Sequence, residues 1–199
     1  PSSPASGGGP SPASGPRPEA EARRAPRVPA VRGARVVLLS DLTEAQRAAA
    51  TTQFRWIFPA LTPLAVGPAY PTPQIRADAI HVGVLLGSDE GRGLAHAQRE
   101  PRLAIVPVPS SLPRLVDVPA EAGEAFALLE EIVAEGAGEL FPGQEVVDSA
   151  PFRLRRGGAS GGPTSRLELS SRASSALEAA LAAALRLAPE TILRCAPPL

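Results

Sequence analysis

The chain has 199 residues, of which 44% are apolar and 20% are charged, so its length and composition allow one domain with a hydrophobic core. Its 20 basic residues, all of them arginine, balance 20 acidic residues, and this neutral total favours neither nucleic acid nor an anionic membrane as a partner. The 24 prolines and 18 glycines predict that much of the chain is irregular.

The compartment is predicted from cysteine usage and from apolar runs. The single cysteine, Cys195, cannot form an internal disulfide and has no neighbouring metal ligands, which favours a reducing compartment. No apolar run approaches the ~18 residues of a membrane-spanning helix, and the N-terminal stretch lacks the apolar core of a signal peptide. We therefore expect the cytoplasm and no membrane contact.

Residues 1–34 are rich in proline, serine, glycine and arginine, and they contain almost no large apolar residue before Val28. Such a segment buries too little surface to offset the entropy of ordering, so we expect a disordered tail. Its cluster of Arg23, Arg24 and Arg27 is interpreted as part of a solvated linker, and the alternative is an arm that binds RNA or another polyanion. Residues 35–199 are then the folded domain.

The first helix is predicted over residues 43–58. Thr43 and Gln46 have the spacing of a capping box, and Pro59 disfavours the α conformation at the residue before it. The face expected to pack on the core comprises Ala45, Ala49, Gln53 and Trp56, and the aromatic core is expected from Phe54, Trp56, Ile57 and Phe58.

Strands are predicted next, at residues 80–86 and 103–108, with an extended segment at 112–116. Apolar residues alternate in the first of these strands, which is typical of a strand with one buried face. His81 would then lie on the solvent face. Neither His81 nor His96 has a second ligand at metal-like spacing, so we expect no metal or catalytic role for either histidine.

An amphipathic helix is predicted over residues 121–140, because apolar residues recur there at intervals of three and four. These apolar residues are Ala125, Leu128, Leu129, Ile132, Val133, Gly136 and Leu140. Glu130 and Glu131 are interpreted as part of the solvated face rather than as metal or acid-base groups.

The rest of the chain alternates short strands with one helix. Strands are predicted at 167–169 and 191–195, a flexible glycine break at 157–162 and a helix at 175–188. The resulting class is α+β, with a mixed sheet covered by about three helices, and the pattern does not predict the strand order.

Three motifs resemble the middle (head) domain of family 1 polyphosphate kinases. They are FPALTPLAV at residues 58–66, PVPSSLPRLVDVP at 107–119 and LFPGQEV at 140–146. Their order is that of the family, and the resemblance extends over about residues 35–195. It also implies two strands after the LFPG turn, the second of them at residues 152–156. The chain departs from the family where Gly67 replaces Asp, Tyr70 replaces His, and Thr72 and Gln74 replace aromatic residues. This pattern indicates a retained fold with relaxed or altered function.

The resemblance implies a relation to ATP-dependent polyphosphate synthesis, which the family performs with Mg²⁺ through a phosphohistidine in domains that follow the head. Because only the head domain is matched, we expect no catalytic, cofactor-binding or metal-binding residues in this chain. Two hypotheses stay open. One is an accessory head-domain protein without catalysis of its own, and the other is a fragment or split part of an active ATP:polyphosphate phosphotransferase.

The implied partners are a second copy of the chain, a full-length polyphosphate kinase or polyphosphate itself. For a polyanion the candidate contacts are Arg153, Arg155 and Arg156, because strand alternation places Arg153 and Arg155 on one face. The alternative is that these arginines form a solvated strand end.

Overall fold

The computed structural model describes residues 34–67, 74–87, 102–156 and 165–196. Several predictions lie outside these ranges, namely the disordered tail before residue 34, the altered residues Tyr70 and Thr72, the role of His96 and the glycine break at 157–162. The domain boundary at residue 34 therefore stays a prediction. In the described ranges, no helix is long and apolar enough to cross a membrane.

Nine strands and four α-helices make up the described residues, and three short 3₁₀ turns connect them. The strands are β1 (Ala34–Val36), β2 (Leu64–Val66), β3 (Ile80–Leu86), β4 (Arg102–Pro107), β5 (Leu115–Val118), β6 (Glu124–Leu128), β7 (Val146–Arg155), β8 (Arg166–Ser170) and β9 (Ile192–Cys195). The helices are α1 (Glu44–Ile57), α2 (Leu129–Glu135), α3 (Ala137–Leu140) and α4 (Ser175–Leu185).

The strands form two mixed sheets, and the α+β class is confirmed. The larger sheet has the order β2-β4-β3-β7-β8-β9, in which only the β8–β9 pair is parallel. The smaller sheet has the order β1-β6-β5, in which β1 runs parallel to β6 and β5 runs antiparallel to it.

Two apolar clusters lie on opposite faces of the larger sheet. One contains Val82 and Val84 of β3 together with Phe54 of α1 and residues of the smaller sheet and α2. The other contains Leu85 of β3 together with Phe152 and the inward side of α4. Because both faces of β3 are covered, His81 through Leu86 are all buried, and the prediction of a half-solvated strand was wrong.

The first helix begins as predicted but turns a different face to the core. Thr43 Oγ1 accepts the Gln46 N–H, and Gln46 Oε1 accepts the Thr43 N–H, which confirms the capping box. The buried residues are Gln46, Ala50, Phe54 and Ile57. This face is displaced by one residue from the predicted one, so Trp56 is 56% exposed and Phe58 is 39% exposed.

The predicted helix at 121–140 was wrong in its first part. Glu124–Leu128 is the strand β6, hydrogen-bonded to β1 on one side and to β5 on the other. Four consecutive residues, Ala125 to Leu128, are buried there because the strand is central in its sheet. A continuous apolar run of this kind has no period of two, so its pattern does not separate strand from helix.

The C-terminal elements match the predicted order with shifted bounds. β7 is one strand of 10 residues where two short ones were expected. The Ser174 side chain caps α4 by accepting the Leu177 N–H at 3.1 Å. The helix ends at Leu185, short of the predicted residue 188, because Arg186 adopts a left-handed conformation with φ of 53°.

Candidate functional site

Two of the three arginines predicted to contact a polyanion have acidic partners. Arg153 of β7 donates from Nε to Glu168 Oε2 at 2.8 Å, and both side chains are largely buried. Arg155 lies 3.5 Å from Asp78 Oδ1 and 3.8 Å from Glu168 Oε1. Arg153 and Arg155 therefore both reach Glu168 on β8, and this carboxylate already neutralises part of their charge.

Arg156 is placed differently, because it is exposed and lines a cleft of about 750 Å³. The cleft is lined by Gln74, Ile75, Arg76, Leu154, Arg156, Ser165, Leu185 and Leu187. None of these residues is acidic, and neither Arg76 nor Arg156 forms an ion pair within the described ranges. The lining thus combines four aliphatic side chains with two free guanidinium groups. We call it the basic cleft.

One wall of the basic cleft is fixed by the backbone before β3. Asp78 adopts a left-handed conformation with φ of 62°, which aspartate tolerates better than most residues. Its N–H donates to the carbonyl oxygen of Leu154 at 2.8 Å, and its side chain contacts Arg155. These contacts hold the segment containing Arg76 against the end of β7, which Arg156 directly follows.

Further arginines surround this end of the sheet. Arg155 of β7 lies directly opposite Arg166 of β8 in the strand register. Arg186, which follows α4, is exposed beside the lining residues Leu185 and Leu187. Like charges directly across a strand pair are destabilising. The contacts of Arg155 with Asp78 and Glu168 offset part of this repulsion.

His81 is buried in the core, so its predicted position on the solvent face was wrong. Only 2% of it is exposed, and its ring stacks on Phe152 with a centroid distance of 5.4 Å. Nδ1 lies 3.0 Å from the carbonyl oxygen of Ala79, to which it can only donate. Burial lowers the pKa of His81, and the bond to Ala79 partly offsets this shift. The ring is therefore neutral near pH 7 and closed off from solvent.

Glu130 and Glu131 are also buried, at 1% and 4% exposed, which corrects their predicted place on a solvated face. Glu130 Oε1 accepts from Arg114 Nε at 2.9 Å, and Glu131 Oε2 accepts from Arg172 Nη1 at 2.9 Å. Burial raises the pKa of Glu131, the charges of Glu130 and Glu135 raise it further, and Arg172 opposes the shift. These two acids form structural ion pairs of α2.

Arg156 was a candidate contact from the sequence, whereas Arg76 was not. In the chain Arg76 stands in a proline-rich stretch without a period, so no local pattern marks it as part of a site. It joins Arg156 only because β3 and β7 pair in antiparallel register, from Ile80 opposite Arg153 onward. A long-range strand pairing of this kind leaves no signal in one sequence.

Comparison with known proteins gives the family. The model of the polyphosphate kinase middle domain matches residues 45–158, a range that contains both Arg76 and Arg156. A polyphosphate kinase of Streptomyces coelicolor is 38% identical over 128 residues, which is 64% of this chain and 16% of that protein. A polyphosphate kinase of Mycobacterium avium is 33% identical over 137 residues, which is 64% of this chain and 18% of that protein.

Similarity in structure agrees with similarity in sequence. The crystal structure of polyphosphate kinase from Porphyromonas gingivalis superposes with a TM-score of 0.64 at 25% sequence identity, covering 81% of this chain and 25% of that one. The chain thus spans less than a fifth of the length of the two relatives named above. Since the family model matches more than half of its residues, the chain belongs to the polyphosphate kinase family and contains its middle domain.

Proposed function

We propose that this chain is an accessory unit of polyphosphate metabolism in the cytoplasm, which binds polyphosphate in the basic cleft and transfers no phosphoryl group by itself. The observation behind this proposal is the pair Arg76 and Arg156, exposed in a cleft whose described lining residues include no acidic one. A bound polymer would hold the chain beside a full-length polyphosphate kinase or a second copy that works on the same substrate.

The chemistry of the cleft suits a linear phosphate polymer. A guanidinium group presents its N–H donors as a planar fork that can contact two phosphate oxygens at once. Arg76 and Arg156 would contact separate positions along the polymer, while Arg166 and Arg186 add positive potential around them. Ser165 offers a hydroxyl donor in the same lining. The cleft is open, so a polymer longer than the site can continue past it.

The position of His81 supports binding without transfer. The family resemblance implies a phosphohistidine intermediate, and such a histidine must meet the phosphoryl donor. His81 is enclosed between β4, β7 and the ring of Phe152, and its Nδ1 is engaged with Ala79. A phosphoryl group on this ring would have to enter the filled core, at a cost far above that of ordinary overpacking.

The second candidate is a part of an active ATP:polyphosphate phosphotransferase. The coverage of the relatives supports this candidate, since the match extends over only 16% and 18% of the length of the two relatives named above. ATP and Mg²⁺ would then be bound by other parts of the enzyme, and the basic cleft would guide the polymer. The two candidates share the cleft and differ in whether phosphoryl transfer needs a further polypeptide.

Direct titration with polyphosphate tests the cleft. We expect Arg76→Gln and Arg156→Gln each to weaken binding about tenfold, equivalent to about 1.4 kcal/mol, because each removes one charge-assisted contact. Arg47→Gln is the matched control, since Arg47 pairs with Glu135 on α2 and does not line the cleft. Binding that is unchanged in both cleft variants, or weakened equally in the control, would rule out the cleft as the binding site.

A further inference from the structure

A second cavity lies between α1 and the helices α2 and α3, away from the basic cleft. Its volume is about 200 Å³. Helix α1 contributes Ala50 and Phe54 to its lining, α2 contributes Ile132 and Glu135, and α3 contributes Glu139. We call it the interhelical cavity.

Small residues beside a large ring create this cavity. The Phe54 ring packs directly on the backbone of Gly136, where it leaves no room for a Cβ atom, and it sets the separation of the helices there. One turn before Phe54, α1 presents only Ala50 to the cavity, and α3 presents Gly138, around whose absent Cβ nothing lies within 4 Å. The space between these small residues is therefore left unfilled.

The interhelical cavity is apolar at its floor and charged at its mouth. Ala50, Phe54 and Ile132 are 5%, 1% and 2% exposed, whereas the side chains of Glu135 and Glu139 are 48% and 45% exposed. An apolar cavity of about 150 Å³ in a protein is large enough to hold benzene. The interhelical cavity thus has room for a phenyl ring or an aliphatic chain of similar volume.

The charged groups at the mouth have acceptor capacity to spare. Arg47 donates from Nη1 to Glu135 Oε1 at 2.6 Å and from Nη2 to the carbonyl oxygen of Leu39 at 3.4 Å. Glu139 lies 3.8 Å from Arg55, which is beyond hydrogen-bond distance. Within the described ranges, the Glu139 carboxylate and Oε2 of Glu135 accept no hydrogen bond. A ligand at this mouth would therefore have to supply donors, preferably with positive charge.

We propose that the interhelical cavity binds a small amphipathic amine, an ammonium group carried on an aromatic ring or a short aliphatic chain. The apolar part would lie on Ala50, Phe54 and Ile132, where it is removed from water. The ammonium group would stay at the mouth, where it donates to Glu139 and Glu135 and keeps part of its hydration. The inference is independent of polyphosphate binding, because no residue of this cavity lines the basic cleft.

Titration with benzylammonium and with benzyl alcohol tests the proposal, because the two probes have similar shapes and only the first is charged. We expect benzylammonium to bind about tenfold more tightly at low ionic strength, with the largest NMR shift changes at Phe54 and Ile132. Glu139→Gln should reduce this preference about threefold and leave the affinity for benzyl alcohol unchanged. The matched control is Glu190→Gln, which removes the same charge from an exposed residue outside the cavity.

A second variant tests the cavity itself. Glu135, Gly138 and Glu139 stand three and four positions apart and all line the cavity, so a leucine at 138 would fill it. We expect Gly138→Leu to abolish binding of both probes without loss of the fold.

Three results would overturn the proposal. One is equal affinity of the wild type for the two probes. Another is a preference that falls as much in Glu190→Gln as in Glu139→Gln, which would assign it to the general charge of the surface. The third is binding of both probes that persists in folded Gly138→Leu, which would place them outside the interhelical cavity.

Discussion

Close packing at a single residue joins α1 to the end of α2. Gly136 has an ordinary backbone conformation, with φ of −77°, so no special backbone freedom requires glycine here. A Cβ atom at this position, however, would lie 2.4 Å from Cδ2 of Phe54 and 2.5 Å from its Cε2. The Phe54 ring is fully buried. Glycine at 136 therefore allows the ring to pack directly on the backbone.

We expect Gly136→Ala to lower the free energy of unfolding by about 1–3 kcal/mol, because the Phe54 ring must move out of a filled core. Gly138→Ala is the control. A Cβ at Gly138 has nothing within 4 Å, and alanine favours a helix over glycine, so stability should stay the same or rise by up to about 1 kcal/mol. Urea unfolding of both variants measures this difference, and equal losses would contradict the packing described here.

Residue-level prediction from sequence succeeded where the partners are local. The capping box of Thr43 and Gln46 involves residues three apart, and it was found. Glu130 and Glu131 were misplaced because their partners, Arg114 and Arg172, stand 16 and 41 residues away. A lone sequence does not show that a buried acid has an arginine partner, and an unpaired buried acid is too costly to predict.

At the scale of elements, α2 links the two sheets through these ion pairs. Arg114 directly precedes β5 of the smaller sheet and binds Glu130. Arg172 stands two residues after the end of β8 of the larger sheet and binds Glu131. Both carboxylates are buried at the start of α2, so the helix is fixed to both sheets by charged contacts as well as by its apolar residues.

The Arg172 contact should matter more at neutral than at acid pH. Burial raises the pKa of Glu131 above its ordinary value of 4.5, and Arg172 opposes this shift. A carboxyl group whose pKa is higher in the folded than in the unfolded protein adds stability that is fully present below its pKa in the unfolded protein. This stability is lost as the pH rises through its pKa in the folded protein. Arg172→Gln removes the opposing charge, so the pKa rises further and the loss at neutral pH grows.

We therefore expect Arg172→Gln to cost about 1–2 kcal/mol at pH 7, a value reduced for the half-exposed arginine, and less near pH 4. Denaturant unfolding at the two pH values checks this. The control is the same change made in Glu131→Gln, where no carboxyl group titrates at this position, so the cost of Arg172→Gln should there be equal at the two pH values. A cost for Arg172→Gln that is larger at acid pH would refute the account.

Prediction of elements from the sequence failed for a definable reason. The apolar residues of β6 continue into α2 without a turn signal, so strand and helix read as one periodic segment. The predicted buried face of α1 lies one residue away from the observed one, because alanines on two neighbouring faces give no contrast in hydrophobicity. Trp56 was assigned to the core because of its size. The strands β3, β4, β8 and β9 were found because turns or prolines bound each of them.

The whole molecule is built on a six-stranded sheet with an apolar cluster on each face. The polyphosphate kinase middle domain matches residues 45–158 of it. The basic cleft lies at one end of this sheet, where the last residues of β7 meet the segment before β3 and the end of α4. Trp56 lies at the other end of the fold's packing arrangement, on α1, whose buried residues Phe54 and Ile57 belong to the opposite apolar cluster.

The most direct test is incubation of the purified chain with γ-labelled ATP, Mg²⁺ and a polyphosphate primer, with both labelled polymer and labelled protein measured. The account predicts that the chain retains the primer, that Arg156→Gln retains less of it, and that no label enters the polymer or the protein. Labelled protein or polymer that disappears in His81→Ala, in a sample whose fold is intact, would place phosphoryl transfer within this domain and contradict the account.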